Sequence, residues 1–224
     1  MNNKAVEKIE SSDYELAVKV YSKFPGNQAV LADLLTKAIA GETQKANKLK
    51  YYKLGADMYE KAAMYTEALK WYGDYSALRG LKDEVYFYKT ASLAINAKDG
   101  VTAAAAAKEY IAAFPDKPNG YNFNNKAAKL IDTAHALGLQ FEAAKLQNEF
   151  FAKDPSKYKQ GFISNYYTMM GYYNENKDFE NAIAMCDKVL EIIPAEPQTV
   201  QIKEGLMKNW EIYKKMKAKE PVKN

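Results

Sequence analysis

Apolar residues recur every three or four positions along most of this chain, and the stretches that carry the pattern are separated by glycine, proline or short polar turns. That period puts them on one face of successive helices. Tyr14, Leu16, Ala17, Val20 and Tyr21 predict a helix over 12–23, with Ser12 and Asp13 as its N-cap. Ala29, Leu31, Leu34, Leu35, Ala38 and Ile39 predict a second over 28–40, stopped by Gly41. Farther along, Tyr52-Lys53-Leu54-Gly55-Ala56-Asp57-Met58-Tyr59 and Tyr166-Tyr167-Thr168-Met169-Met170-Gly171-Tyr172-Tyr173 set aromatic residues around small or apolar ones. Ile202, Leu206, Trp210, Tyr213 and Met216 form the stripe of a terminal helix over 198–217.

Prolines punctuate this pattern. Phe114-Pro115-Asp116, Asp154-Pro155-Ser156 and Ile193-Pro194-Ala195 each follow an apolar helix end, and Phe24-Pro25-Gly26 is an earlier relative. Proline lacks the N–H and clashes with the preceding turn, so each marks a stop or a restart. Twelve residues before the last three prolines stand Ala103, Ala143 and Ala182, and Ala68 takes the same place earlier, giving spacings of 35, 40 and 39 residues. A small residue recurring at that interval lets two antiparallel helices approach closely, because the side chains at the contact set the interaxial distance.

An aromatic, an apolar, a small and an aromatic residue in a first helix, then an alanine and a closing proline in a second, resemble the tetratricopeptide repeat family. The resemblance covers repeats near 49–82, 84–117, 124–157 and 163–196. Its last unit carries Tyr166, Met169, Tyr173, Phe179, Ala182, Val189 and Pro194, and its first carries Tyr52, Tyr59, Tyr65, Ala68 and Tyr72. The unit around Ala103 has Phe87, Ala91, Ala94, Tyr110 and Pro115, and the unit around Ala143 has Leu130, Ile131, Ala134, Gly138, Phe150 and Pro155. Met170 stands where the family has a small glycine. The spacings of 39 and 40 exceed the family's roughly 34, which predicts longer loops at Asp116–Gly120 and Lys157–Gln160.

The resemblance implies an all-α fold, a right-handed α-solenoid of antiparallel helix hairpins forming a single domain over 1–224. Degenerate helices over 5–41 would precede the repeats, and a capping helix over 198–217 would solvate the far end. It also implies a concave groove lined by the first helices, the family's usual peptide site. Facing positions would include Lys50, Lys53, Asp57 and Glu60, then Val85, Tyr88, Lys89, Ser92 and Ile95. Asn125, Lys129, Asp132 and His135 would follow on the third unit, and Ser164, Tyr167, Gly171 and Asn174 on the fourth. Of these, Lys53, Tyr88, Lys89, Asn125, Lys129, Tyr167 and Asn174 are the candidate peptide contacts, through tyrosine stacking, amide hydrogen bonds and lysine charge. The clamp that reads a terminal carboxylate in chaperone-binding members needs asparagines among the lysines. Asp57 and Ser92 stand there instead, and Asp57 would repel a carboxylate.

Composition narrows the chemistry. The 224 residues are 48% hydrophobic, with 18 tyrosines and few glycines or prolines, which supports a continuous helical core with tyrosine hydroxyls at its rim. The net charge of +4 is mild, and the basic tail (Lys214, Lys215, Lys217, Lys219 and Lys223) reads as a solvated terminus. Asp57, Glu60 and Asp132 oppose the basic stripe that a nucleic-acid partner would need. The one histidine, His135, and the one cysteine, Cys186, are too few for a structural zinc site, so no metal or cofactor is expected. His135 reads as a polar residue on a first helix, and Cys186 as a small core residue. There is no phosphate loop, paired-histidine helix or calcium loop. No apolar run is long enough to span a membrane, and 1–8 holds no signal core. The chain reads as cytoplasmic as written, or periplasmic or secreted if a leader is removed. The expected function is a non-catalytic scaffold or adaptor holding a protein or peptide; the alternative is a small-ligand or glycan-associated binding protein of the cell envelope.

Overall fold

The computed structural model describes residues 11–21 and 26–218, and among them every regular element is a helix. The Phe24-Pro25 landmark, residues 5–10 and 22–23 of the N-terminal helices, and Lys219 and Lys223 lie outside the described residues. The helices are α1 (Ser11–Tyr21), α2 (Gln28–Gly41), α3 (Lys45–Lys61), α4 (Tyr65–Arg79), α5 (Glu84–Asn96), α6 (Gly100–Ala113), α7 (Pro118–Ile131), α8 (Leu139–Phe151), α9 (Lys159–Glu175), α10 (Phe179–Ile192) and α11 (Pro197–Lys217). Ser12 and Asp13 lie within α1 rather than before it. The extensive helix–helix contacts join neighbours in chain order, as in a stack of hairpins and unlike a closed bundle. The described residues divide into two compact units, with the boundary between Tyr110 and Ile111 in the last turn of α6.

In the first unit the core is a succession of small clusters. Val18, Leu31, Leu35, Ala38 and Tyr51 join α1, α2 and α3. Ala56, Tyr59, Ala68 and Tyr72 fill the α3–α4 hairpin, and Leu93 of α5 closes that cluster. Gly55 allows α3 to press onto the Trp71 ring, where a Cβ would collide. In α5–α6 the Phe87 and Tyr110 rings stack, and the Tyr110 hydroxyl donates to Glu84 at 3.0 Å.

In the second unit Tyr121, Phe150 and Phe151 form the α7–α8 cluster. Met170, Phe179, Ala182, Cys186 and Leu206 join α9, α10 and α11. The four phased alanines Ala68, Ala103, Ala143 and Ala182 are all buried, consistent with their role as points of close helix approach. On α11, Ile202, Leu206, Trp210 and Tyr213 face this cluster, whereas Gln201, Glu204, Lys208, Glu211 and Lys215, spaced by three and four, are exposed. The helix thus covers the apolar face of α9 and α10 and presents a mostly polar one, on which Met216 of the expected stripe is exposed.

Three hairpins turn alike. Ala63, Lys98 and Lys177 are left-handed, with φ of 57, 61 and 60°. The following amides of Met64, Asp99 and Asp178 reach back to the carbonyls of Tyr59, Ala94 and Tyr173, each at 2.9 Å, the pattern that satisfies the last carbonyls of a helix. The α7–α8 turn departs from this. It runs over 132–138, four residues longer than 62–64, 97–99 or 176–178. The extra length near the third unit therefore sits mainly inside the hairpin, not at Asp116–Gly120. Between hairpins, 152–158 is three residues longer than 80–83, 114–117 or 193–196.

Candidate functional site

In the first unit, Lys53 on α3 pairs with Asp57 one turn on, at 2.6 Å. Lys89 on α5 pairs with Glu60 on α3. Both lysines thus neutralise carboxylates on the same first-helix surface, and Lys89 is half-buried in doing so. Tyr88, beside it on α5, is 47% exposed, a ring offered at the surface.

The second unit holds Asn125, Lys129, Tyr167 and Asn174. Lys129 is exposed on α7. The Asn125 amide donates to Gln147 of α8, whose oxygen also accepts from Asn165 of α9 at 3.1 Å. Gln147 in turn donates to Asn122 at 2.7 Å, and Asn165 donates to Asn148 at 2.9 Å. Gln147 and Asn165 are buried, so this amide chain satisfies polar groups that would otherwise be costly inside the stack. It joins α7, α8 and α9, and its outer end reaches the exposed Asn122.

The Tyr167 hydroxyl lies 2.5 Å from the Thr199 hydroxyl and 3.3 Å from Glu196. Glu196 caps α11 by accepting from the Thr199 amide at 2.5 Å and its hydroxyl at 2.6 Å. The Thr199 hydrogen bonds, then those from other backbone and Tyr167 donors, hold the Glu196 carboxyl below the usual carboxylate range. The Tyr167 ring packs against the Met170 cluster, so it anchors α11 while leaving its outer edge on the α9 surface. Asn174, two turns on, is half-buried. Between them Gly171 has nothing within 4 Å of where a Cβ would stand.

Two of the expected facing positions are placed elsewhere. Asp132 is 2% exposed and ends α7. Its carboxylate accepts from the amides of Leu137 and Leu139, each at 3.0 Å, and Gln140 donates to its carbonyl at 2.6 Å. Burial opposes its charge, but these amide donors prevail and lower its pKa. His135 follows in the turn, exposed and left-handed with φ of 57°, rather than on a first helix. The side chain of Asp132 competes with helix continuation by bonding the backbone ahead of it.

Sequence reasoning did not identify Gln147, Asn165, Thr199 or Glu196. One signal was present: Gln147 lies four residues after Ala143, where Tyr72 follows Ala68 and Cys186 follows Ala182. An amide in a slot otherwise given to core residues requires partners. Among the described residues no group of three or more His, Cys, Asp or Glu is placed to hold a metal ion, and no helix is long and apolar enough to cross a membrane.

Neither a protein-family model nor a curated protein sequence matches the chain. Solved structures do. The C-terminal part of a TPR repeat-containing protein from Cytophaga hutchinsonii superposes with a TM-score of 0.59 at 20% identity, over 88% of this chain and 74% of that one. YrrB, described as a TPR protein with an unusual peptide-binding site, matches with a TM-score of 0.50 at 15% identity, over 87% of this chain and 92% of its own. This chain has a tetratricopeptide-like fold. MamA also matches, with a TM-score of 0.50 at 15% identity over 84% of this chain and 94% of that one. At these identities the likeness concerns the tetratricopeptide-like architecture alone. The side chains that such a fold presents here are this chain's own: a tyrosine and neutralised lysines in the first unit, an amide chain and a tyrosine–glycine–asparagine stripe in the second.

Proposed function

We propose that this protein is a non-catalytic scaffold that holds an extended segment of another protein along its first-helix surfaces. Helices stacked in hairpins present long, regular faces suited to a strand-like guest. The observation that carries the reading is the α9 stripe. Ser164, Tyr167, Gly171 and Asn174, spaced by three and four, share one helical face, and open space lies before Gly171. A glycine inside a helix costs about 1 kcal/mol relative to alanine. Here it faces no neighbouring element, and it leaves room for a guest main chain to lie close to α9. The Tyr167 ring edge and the Asn174 amide flank that notch, and the exposed Tyr88 ring offers a comparable contact in the first unit. The likeness to YrrB, whose description includes a peptide-binding site, supports the same class of guest.

Panning a random-peptide library against the protein tests this. Peptides should be recovered whose binding is lost in Gly171→Arg and weakened several-fold in Asn174→Ala, with the melting temperature of each variant unchanged or raised. Recovery of no binders, or of binders indifferent to Gly171→Arg, overturns the reading.

A further inference from the structure

The lengthened 152–158 connection forms part of a cavity of about 450 Å³. Its Pro155 and Ser156 form one wall, and the other walls are the start of α9 and the end of α10. The volume is within the range of pockets that hold small molecules. Phe162 and Tyr166 stack with centroids 5.8 Å apart at 23° and, with Ile192, give an apolar floor.

Three polar groups at this floor are available. The Tyr166 phenol has no hydrogen-bond partner among the described residues. Burial pushes its pKa up, with Lys188 opposing and Glu191 adding to the rise, so at neutral pH it is an O–H donor. Lys159 lines the cavity and makes no ion pair among the described residues. As the first residue of α9 it is at the end where the helix dipole disfavours a cation, so its charge contributes nothing favourable to the helix. Lys188 pairs with Glu191 at 3.0 Å, but both are about half exposed, and a pair so exposed is weak; an ammonium also has three donors to share. An unpaired cation, a shareable cation and an idle phenol above a flat apolar floor complement an anion with an aromatic body.

We infer that this cavity is a binding site for a small aromatic carboxylate, its ring laid against Phe162, Tyr166 and Ile192 and its carboxylate received by Lys159, Lys188 and the Tyr166 hydroxyl. The site is distinct from the α9 stripe proposed for peptides and does not depend on it.

Titration with 2-naphthoate, followed by amide chemical shifts, tests the inference. Saturable shifts are expected at Ser156, Lys159, Phe162 and Glu191. The double variant Lys159→Glu with Lys188→Glu, at exposed positions, should weaken binding at least tenfold without lowering the melting temperature. Tyr166→Phe should weaken it several-fold, and uncharged 2-naphthamide should bind at least fivefold more weakly than 2-naphthoate. Shifts that map elsewhere, affinity unchanged by the charge reversal, or equal binding of the amide overturns the inference.

Discussion

The Cys186 thiol donates to the Met170 thioether, sulfur to sulfur at 3.2 Å, in the buried cluster that joins α9, α10 and α11. Met170 lies twelve residues before Ala182 and Cys186 four after it; in the first repeat the same places hold Ala56 and Tyr72 around Ala68, in one buried cluster. The large and small members are thus exchanged between the two helices. The methionine at the expected glycine position is accommodated because the facing helix carries a cysteine instead of a ring.

This exchange predicts coupling. Met170→Ala should cost about 2–5 kcal/mol, as large-to-small core changes do, and Cys186→Tyr about 1–3 kcal/mol by overpacking. Together they restore the arrangement of the first repeat. Chemical denaturation should find the double variant at least about 1 kcal/mol more stable than the sum of the two losses. Strict additivity would refute the exchange.

The three matching hairpin turns hold a side chain where a left-handed backbone favours glycine. That conformation costs an L-residue about 1–2 kcal/mol, of which the extra chain entropy of glycine returns about half. Ala63→Gly and Lys177→Gly should each stabilise the protein by about 0.5–1 kcal/mol. Ala105→Gly, exposed within α6, should destabilise by about 1 kcal/mol. Paired thermal melts measure both signs.

Acid should loosen the second unit through Asp132 and Glu196. Both carboxyls are held below their usual pKa in the folded state, so the unfolded chain binds protons more readily. Their stabilising contribution is complete above the ordinary carboxylate range and is lost as pH falls through and below about 4. Melting temperature should fall over that window. Asp132→Asn should begin lower at pH 7 and show a shallower decline; a decline identical to that of the wild type would count against the role of Asp132.

Tyr167 predicts a graded response. Tyr167→Phe removes the hydroxyl between Thr199 and Glu196 and should cost about 1 kcal/mol. Tyr167→Ala also removes a ring from the Met170 cluster and should cost distinctly more. Hydrogen exchange should place the loss in α11. Equal costs for the two variants would mean that the ring contributes nothing to holding that helix.

The hairpin pattern was legible because it rests on local rules. Proline stops, phased alanines and aromatic stripes at Tyr52–Tyr59 and Tyr166–Tyr173 each constrain neighbouring residues, and those alanines are buried. The surface chemistry was less legible because its partners are distant in sequence. Nothing near Lys89 announces that it will meet Glu60, 29 residues earlier. Tyr167 reads as a facing residue by period alone, yet its hydroxyl is committed 32 residues onward to Thr199. His135 continues an apolar-periodic stretch, and what removes it from the helix is the Asp132 carboxylate bonding two amides beyond it.

That carboxylate has a consequence for how the chain can change. By gripping Leu137 and Leu139 it staples the two ends of the α7–α8 turn, so the hairpin is held shut independently of what lies at the tip. Added length there costs little, since loop entropy grows only with the logarithm of length. The segment from Thr133 to Ala136 is therefore a splice point: foreign sequence inserted there would ride outside the stack while the latch beneath it stays closed.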